Sequence, residues 1–318
     1  MKKILVMMMS VVLLAGCTAQ ASNESKYRIG VIQIAEHPSL DAAVRGAQEY
    51  WQEKYGKDAE FVVKNAQGNV ADADLIAQSM VSDKYDLIYA IGTNAAQSAY
   101  YATEGTSIPV IFNAVTDPVE AQLVDSLNHP GSNVTGVSDL APADQQLMVV
   151  KNILPEAKKV GIIYNTGEIN STVQIDALQK IAPSVGVELD VVGISNIQDV
   201  STVVTQMLGR VDAIYNITDN MVVSATSTIT ELATKQSIPV FASEDGQMKE
   251  GILAAESLSY EQLGKKAGEM IEKILIENVQ PESLGVYQSR ETTLILNKLV
   301  AEKFDIDTNN YKNAKIVE

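Results

Sequence analysis

The stretch SIPVFASEDG (237–246) runs from an apolar segment into two acids, Glu244 and Asp245. The same four letters open SIPVIFNAVTD (107–117), which ends in Thr116 and Asp117. Side chains of this kind, set just past an apolar run, can hold a small polar molecule. A carboxylate takes an ammonium, and a hydroxyl donates to a carboxylate. Other apolar runs end the same way. Earlier in the chain they lead into Gln33, Glu36, His37 and Pro38, into Gly92, Thr93 and Asn94, and into Asn113. Later ones lead into Asn165, Thr166, Glu168, Asn170 and Ser171, into Thr218, Asp219 and Asn220, and into Ser243. None of these is a lysine or arginine. A phosphate or nucleotide site calls for basic groups or a glycine-rich loop, and G-x-G-x-x-G is absent. Thr93, Thr116 and Ser171 supply hydroxyls, and helix N-termini supply free N–H groups for an anion. Asp219 and Glu244 are equal candidates to hold a cation. Donors for an anion beside acids for a cation suit a zwitterion, a free amino acid, better than a sugar. Any one of these residues also reads as an ordinary helix cap; the weight lies in the sum over both halves. His37, in EHPSLD, is open between a ligand contact and a cap. Asp245 reads as a cap or surface acid.

These residues need elements to position them. From Tyr27 onward, short apolar runs alternate with helical patterns: YRIGVIQI, AEFVVKNAQ, YDLIYAIGT and IPVIFNAV are strands with helices between them. The pattern restarts with KKVGIIYNTG, VELDVVGI, VDAIYNITD and SIPVFASED. A helix is expected from about Met221 to Lys235. Apolar runs without strict alternation, separated by helices, predict parallel sheets buried on both faces. SIPV occurs twice because an α/β lobe occurs twice. The fold class is therefore α/β, with two Rossmann-like lobes and a ligand cleft beyond the carboxyl ends of the strands. The first link falls near Gly136 to Pro142, a return crossing around 255–260 and a third near 288–292. Lobe one is then 27–138 plus about 257–288, and lobe two 139–256 plus about 289–318. Trp51, at helical spacing with Val44, Ala47 and Tyr55, reads as packing. NNYKNAKIVE (309–318) reads as a loose tail.

The 318 residues carry a net charge of −16, with 46% hydrophobic content and a mean hydropathy of +0.02. That is a globular composition with an acidic surface, which argues against a nucleic-acid partner. Two histidines and one cysteine leave little for a zinc site or a disulfide framework. No cofactor or metal is expected. The N-terminus, MKKILVMMMSVVLLAGC, has two lysines, a short apolar core and a small-residue ending at Cys17. It reads as an export signal over residues 1–16, too short to span a bilayer. TAQASNESK (18–26) follows as a flexible tether.

LAGC resembles a bacterial lipobox, which implies cleavage before Cys17 and lipidation of that residue. Together with VIQIAEHPSLD, AIGTNAAQSA, VIFNAVTDPV, GVSD, YNTGEINS, NITDN and VFASED, the chain resembles the substrate-binding lipoproteins of ABC importers. Their fold is the type I periplasmic-binding-protein fold, and the similarity extends to the subfamily associated with tryptophan and other aromatic amino acids. The resemblance covers about residues 27–304. It implies capture of an amino acid by hinge closure and delivery to a permease driven by a separate ATPase. It also implies a lipid anchor on the outer face of the cell membrane and a monomer. By position, Thr93 and Thr116 would meet the ligand carboxylate and Glu244 its ammonium, with Asp219 equally placed. Asn165, Asn170 and Ser171 would close over the ligand from lobe two. Gln33, His37, Asn94, Asn113, Asp117, Glu168, Asn220 and Ser243 complete the candidate set. Tyr89, Phe112, Tyr164 and Tyr215 are candidate walls for an aromatic ring.

Other readings remain open at this level. The same fold could bind a branched-chain amino acid, a nucleoside or a sugar, or present its closed form to a receptor. An enzyme is disfavoured. There is no G-x-S-x-G elbow or metal cluster, and only an acid pair such as Asp219 and Glu244 could hydrolyse a glycoside.

Overall fold

Each half of the chain builds the same unit, because each supplies apolar strands that only a two-sided cover of helices can bury. The computed structural model describes residues 25–318; the leader, Cys17 and the tether up to residue 24 lie outside the described residues. The first unit contains β1 (Tyr27–Gln33), α1 (Pro38–Tyr55), β2 (Ala59–Asn65), α2 (Val70–Ser82), β3 (Leu87–Ile91), α3 (Thr93–Thr103), β4 (Val110–Asn113) and β5 (Val134–Ser138). The second contains α4 (Ala143–Ile153), β6 (Lys159–Asn165), α5 (Ile169–Val185), β7 (Glu188–Ile194), α6 (Val200–Leu208) and β8 (Ala213–Asn216). It continues through α7 (Asn220–Ser224), α8 (Thr226–Lys235), β9 (Val240–Ala242) and β10 (Ala254–Ser257). The chain ends with α9 (Tyr260–Leu275), β11 (Tyr287–Gln288), β12 (Thr293–Asn297), α10 (Lys298–Lys303) and β13 (Lys315–Val317).

The first sheet has the order β2-β1-β3-β4-β5-β11 and the second β7-β6-β8-β9-β10-β12-β13. All pairs are parallel except β10 with β12. The repeated order is the structural form of the repeated SIPV. The chain passes from one sheet to the other through 139–142, 258–259 and 289–292. Every residue of β3, β4 and β5 is buried.

Three local expectations change. The segment 309–318 is not a loose tail: β13 extends the second sheet, with Ile295, Leu296 and Asn297 in register with Lys315, Ile316 and Val317. Tyr311 packs against the second core and its hydroxyl donates to the Asn152 carbonyl. The expected helix from 221 to 235 is two helices, α7 and α8, meeting at Ala225. Tyr89 and Phe112 fill the first core and Tyr215 the second, so these rings are scaffold and not cleft walls.

The return segment α9 docks on α1, which binds the third part of the chain to the first lobe. Gly46 and Gly264 permit the approach, since a Cβ on Gly46 would collide with the Glu261 carbonyl and one on Gly264 with the Ala43 carbonyl. Trp51 is buried here, its indole N–H donating to the Gly268 carbonyl. Glu272 on α9 then takes hydrogen bonds from Tyr50, from Tyr55 at 2.7 Å and from Lys54 at 2.7 Å. Burial pushes its carboxyl up, but the three donors outweigh burial and hold it at about 2, below its ordinary 4.5. A depressed carboxyl stabilises the fold above its unfolded value and loses that contribution as pH falls through the folded one. Lys54 is half exposed, so its share is screened. Glu272→Gln should cost about 1–2 kcal/mol at neutral pH. By denaturant unfolding, the gap from wild type should hold down to about pH 5 and shrink toward pH 2. A gap independent of pH would contradict the assignment.

Candidate functional site

The carboxyl ends of the two sheets face one another. His37, beyond β1, places Nδ1 3.8 Å from Glu244 Oε1, beyond β9. Its Nε2 lies 3.4 Å from Asn220 Oδ1, beyond β8. Ile169, opening α5 in the second lobe, packs against the core of the first. The lobes are therefore in contact across the cleft, and the polar residues between them are buried.

Buried polar atoms are normally paired, and each exception asks for a reason. Here several exceptions collect at the cleft. Glu244 is 0% exposed and its Oε2 meets no protein partner. Thr93 Oγ1, His37 Nδ1 and Asn170 Oδ1 are likewise buried and unpartnered. Thr93 is the first residue of α3, where free N–H groups and the helix dipole favour an anion. The entry to that helix depends on Gly92, whose φ of 91° lies in the left-handed region that favours glycine. Glu244 is held on the other lobe. Gln247 donates to its Oε1 at 3.2 Å, and Gln247 Oε1 in turn accepts from Asn216 at 3.0 Å and Thr226 at 2.7 Å. One oxygen of the acid is thus fixed, and the other, Oε2, meets no protein donor. The arrangement offers a hydroxyl and a helix N-terminus from one lobe, and a carboxylate from the other.

Most other candidates are engaged within their own lobe. Gln33 donates to the Ala35 carbonyl and to Asp41. Asn113 donates to Tyr89 and accepts from the Ala114 N–H, and Asp117 caps Val119 and Glu120. In the second lobe, Glu168 accepts from Asn165, Asn170, the Asn220 side chain and the Asn220 and Met221 N–H groups. Asp219 caps α7 through the Val222 N–H and accepts from the Asn165 N–H and Ser171 Oγ. Burial and the nearby Glu168 carboxylate push Asp219 up to about 7, against those hydrogen bonds. It is a fully bonded cap, which leaves Glu244 as the acid with a free oxygen. Ser243 pairs with Thr218 at 3.0 Å. Asn94 is half-buried at the start of α3.

Thr116 differs from its sequence role. Its hydroxyl donates to Asp139 Oδ1 at 3.1 Å instead of standing free for a carboxylate. Asp139 also accepts from Tyr260 at 2.8 Å. Sequence reasoning missed both residues because Asp139 lies on one inter-lobe link and Tyr260 just past another, where Asp139 in GVSDLAP reads as linker and Tyr260 as the start of a helix. The signal available was an acid at the first link, next to the strand end that carries Thr116.

Residues 28–315 match the family described as ABC transporter substrate binding protein. The chain is 40% identical over 335 aligned positions, 100% of this chain and 96% of the relative, to a tyrosine-binding protein of Clostridioides difficile. Among solved structures it is similar to an ABC domain from Streptococcus pneumonia in complex with L-Trp. There the TM-score is 0.88 at 30% identity, covering 92% of this chain and 100% of that one. It is also similar to the ligand-free, open structure of a substrate-binding protein with adhesive properties from Clostridium difficile. There the TM-score is 0.71 at 37% identity, covering 92% and 99%. The better overlay on the ligand-bound structure, despite lower identity, agrees with the contacts His37 makes across the cleft. The chain belongs to the ABC transporter substrate-binding protein family.

Proposed function

We propose that this protein captures a free aromatic amino acid, tyrosine or tryptophan, and delivers it to an ABC permease outside the cytoplasm. It does so without catalysis. The observation that carries this reading is the set of unpartnered buried atoms on facing lobes. Glu244 Oε2 is suited to an ammonium, and Thr93 Oγ1 at the α3 N-terminus to a carboxylate. The ligands printed for the two relatives, tyrosine and L-Trp, favour the aromatic choice. Ligand bridging of the two ends stabilises the closed arrangement by its differential affinity for that state. His37 and Asn170, each with a buried free atom, are the remaining contacts we assign.

Cys17 is the residue we assign to lipidation, with the export signal before it and the tether after it holding the folded lobes at the outer face of the membrane. The acidic surface and the three inter-lobe links suit a monomer that opens and closes.

Removing one partner from a buried charge pair costs about 2–5 kcal/mol. Glu244→Gln should therefore weaken L-tyrosine or L-tryptophan binding at least tenfold by calorimetric titration. Unchanged affinity would remove Glu244 from the ammonium site, and wild-type protein that binds no amino acid would refute the class. Cys17→Ala should move the protein from the membrane fraction to the soluble fraction and abolish labelling with a radioactive fatty acid; continued labelling would exclude Cys17 as the anchor.

A further inference from the structure

Gly246 lies two residues past Glu244, in the helical turn Asp245–Glu250 of the second lobe. Its backbone is outside the left-handed region, so the turn itself does not call for a glycine there. The need comes from the other lobe. A Cβ on Gly246 would collide with Ser39 Oγ and stand 3.0 Å from the Ser39 nitrogen and 3.4 Å from Pro38 Cβ. These three nearest atoms all belong to the first turn of α1. Ser39 is buried and its hydroxyl has no hydrogen-bond partner, so no polar bond accounts for its place against the glycine. Neither side is free to withdraw. The Asp245 N–H donates to Ser257 Oγ at 3.1 Å, the Gln247 side chain is bonded to Asn216 and Thr226, and Asn297 donates to the Met248 carbonyl at 2.9 Å. On the first lobe, α1 is docked on α9 through Gly46. The same approach brings His37 to 3.8 Å from Glu244 and 3.4 Å from Asn220.

We propose that Gly246 is a positioning residue for ligand capture: its missing side chain is the seat on which the first turn of α1 settles when the lobes close. This rests on the hinge closure of the proposed function, and not on which ligand is bound. Gly246 acts through the closed form and touches no ligand. A side chain at 246 raises the energy of that form and leaves the open form, in which the two loops are apart, as it was. Affinity for every ligand then falls by one common factor, because each ligand draws on the same closing equilibrium. The factor grows with the size of the added group, since a tight contact between two anchored elements relaxes little. The Ser39 hydroxyl can rotate away from a single methyl, whereas the Ser39 nitrogen and Pro38 cannot turn aside for a branched side chain.

The test titrates the full mature chain with L-tyrosine and with L-tryptophan. Gly246→Ala should weaken both about threefold and Gly246→Val both by about tenfold or more, with one factor for the two ligands in each variant. Adding Ser39→Ala to Gly246→Ala removes the atom that the new methyl strikes, and should recover part of the loss. Without ligand, the unfolding midpoints of the Gly246 variants should not fall below that of wild type. At an L-tyrosine concentration that compacts wild type in small-angle scattering, Gly246→Val should stay extended. Wild-type affinity in Gly246→Val would overturn the proposal. So would a loss that differs between the two ligands, which would make Gly246 a ligand contact, or one that comes with a lowered midpoint in both Gly246 variants, which would make it scaffold. If wild type binds neither amino acid, the amino-acid reading falls and scattering without ligand decides the seat: a more extended Gly246→Val supports it, and equal dimensions overturn it.

Discussion

The structure turns on the Glu244 carboxylate, buried at the carboxyl end of β9 with one oxygen that no protein group meets. A buried charge is tolerated only when something compensates it. The second lobe supplies half of that compensation from beneath, through Gln247 and the Asn216 and Thr226 groups that hold it. His37, from the first lobe, approaches the same Oε1 to 3.8 Å, and Oε2 meets no protein partner. Under the proposed function, a ligand ammonium provides the compensation left over.

Capture by closure, as proposed, requires two lobes that are each rigid and jointly mobile. Rigidity comes from doubly covered sheets and from networks that use up most polar groups at the strand ends. Glu168 and Asp219 show how far this goes, since each gathers several donors from loops that would otherwise splay. The lobes are joined by three short links, 139–142, 258–259 and 289–292, which the proposed closure would bend. The α1–α9 interface has a related task, because α9 lies between two of those links and would otherwise be free to follow either lobe. The Gly46–Gly264 approach and the Glu272 cluster fix it to the first.

Much of this was legible in the sequence. The repeated SIPV and the alternation of apolar runs with helical patterns led to two parallel sheets of one topology, since strand burial and helix periodicity are local signals. Thr93 and Glu244, at the ends of β3 and β9, were candidates from position alone, and each carries a buried atom without a protein partner. The division of labour among the remaining polar residues could not. Asp219 and Glu244 look alike as acids after a strand, yet one caps α7 and the other has a free oxygen. That difference depends on which backbone N–H groups happen to lie within reach. Asp139 was hidden because its partners, Thr116 and Tyr260, are 23 and 121 residues away in sequence. The aromatic residues misled for a related reason: Tyr89, Phe112 and Tyr215 sit in strands buried on both faces, where they face cores. The tail misled because β13 has a weak pattern of its own and is a strand only through pairing with β12.

A crystal structure of the protein grown with L-tyrosine tests the central claim most directly. The account predicts the ammonium about 3 Å from Glu244 Oε2, with the carboxylate on Thr93 Oγ1 and the first turn of α3. An amino acid bound in the reverse sense, or seated away from Glu244, would contradict it.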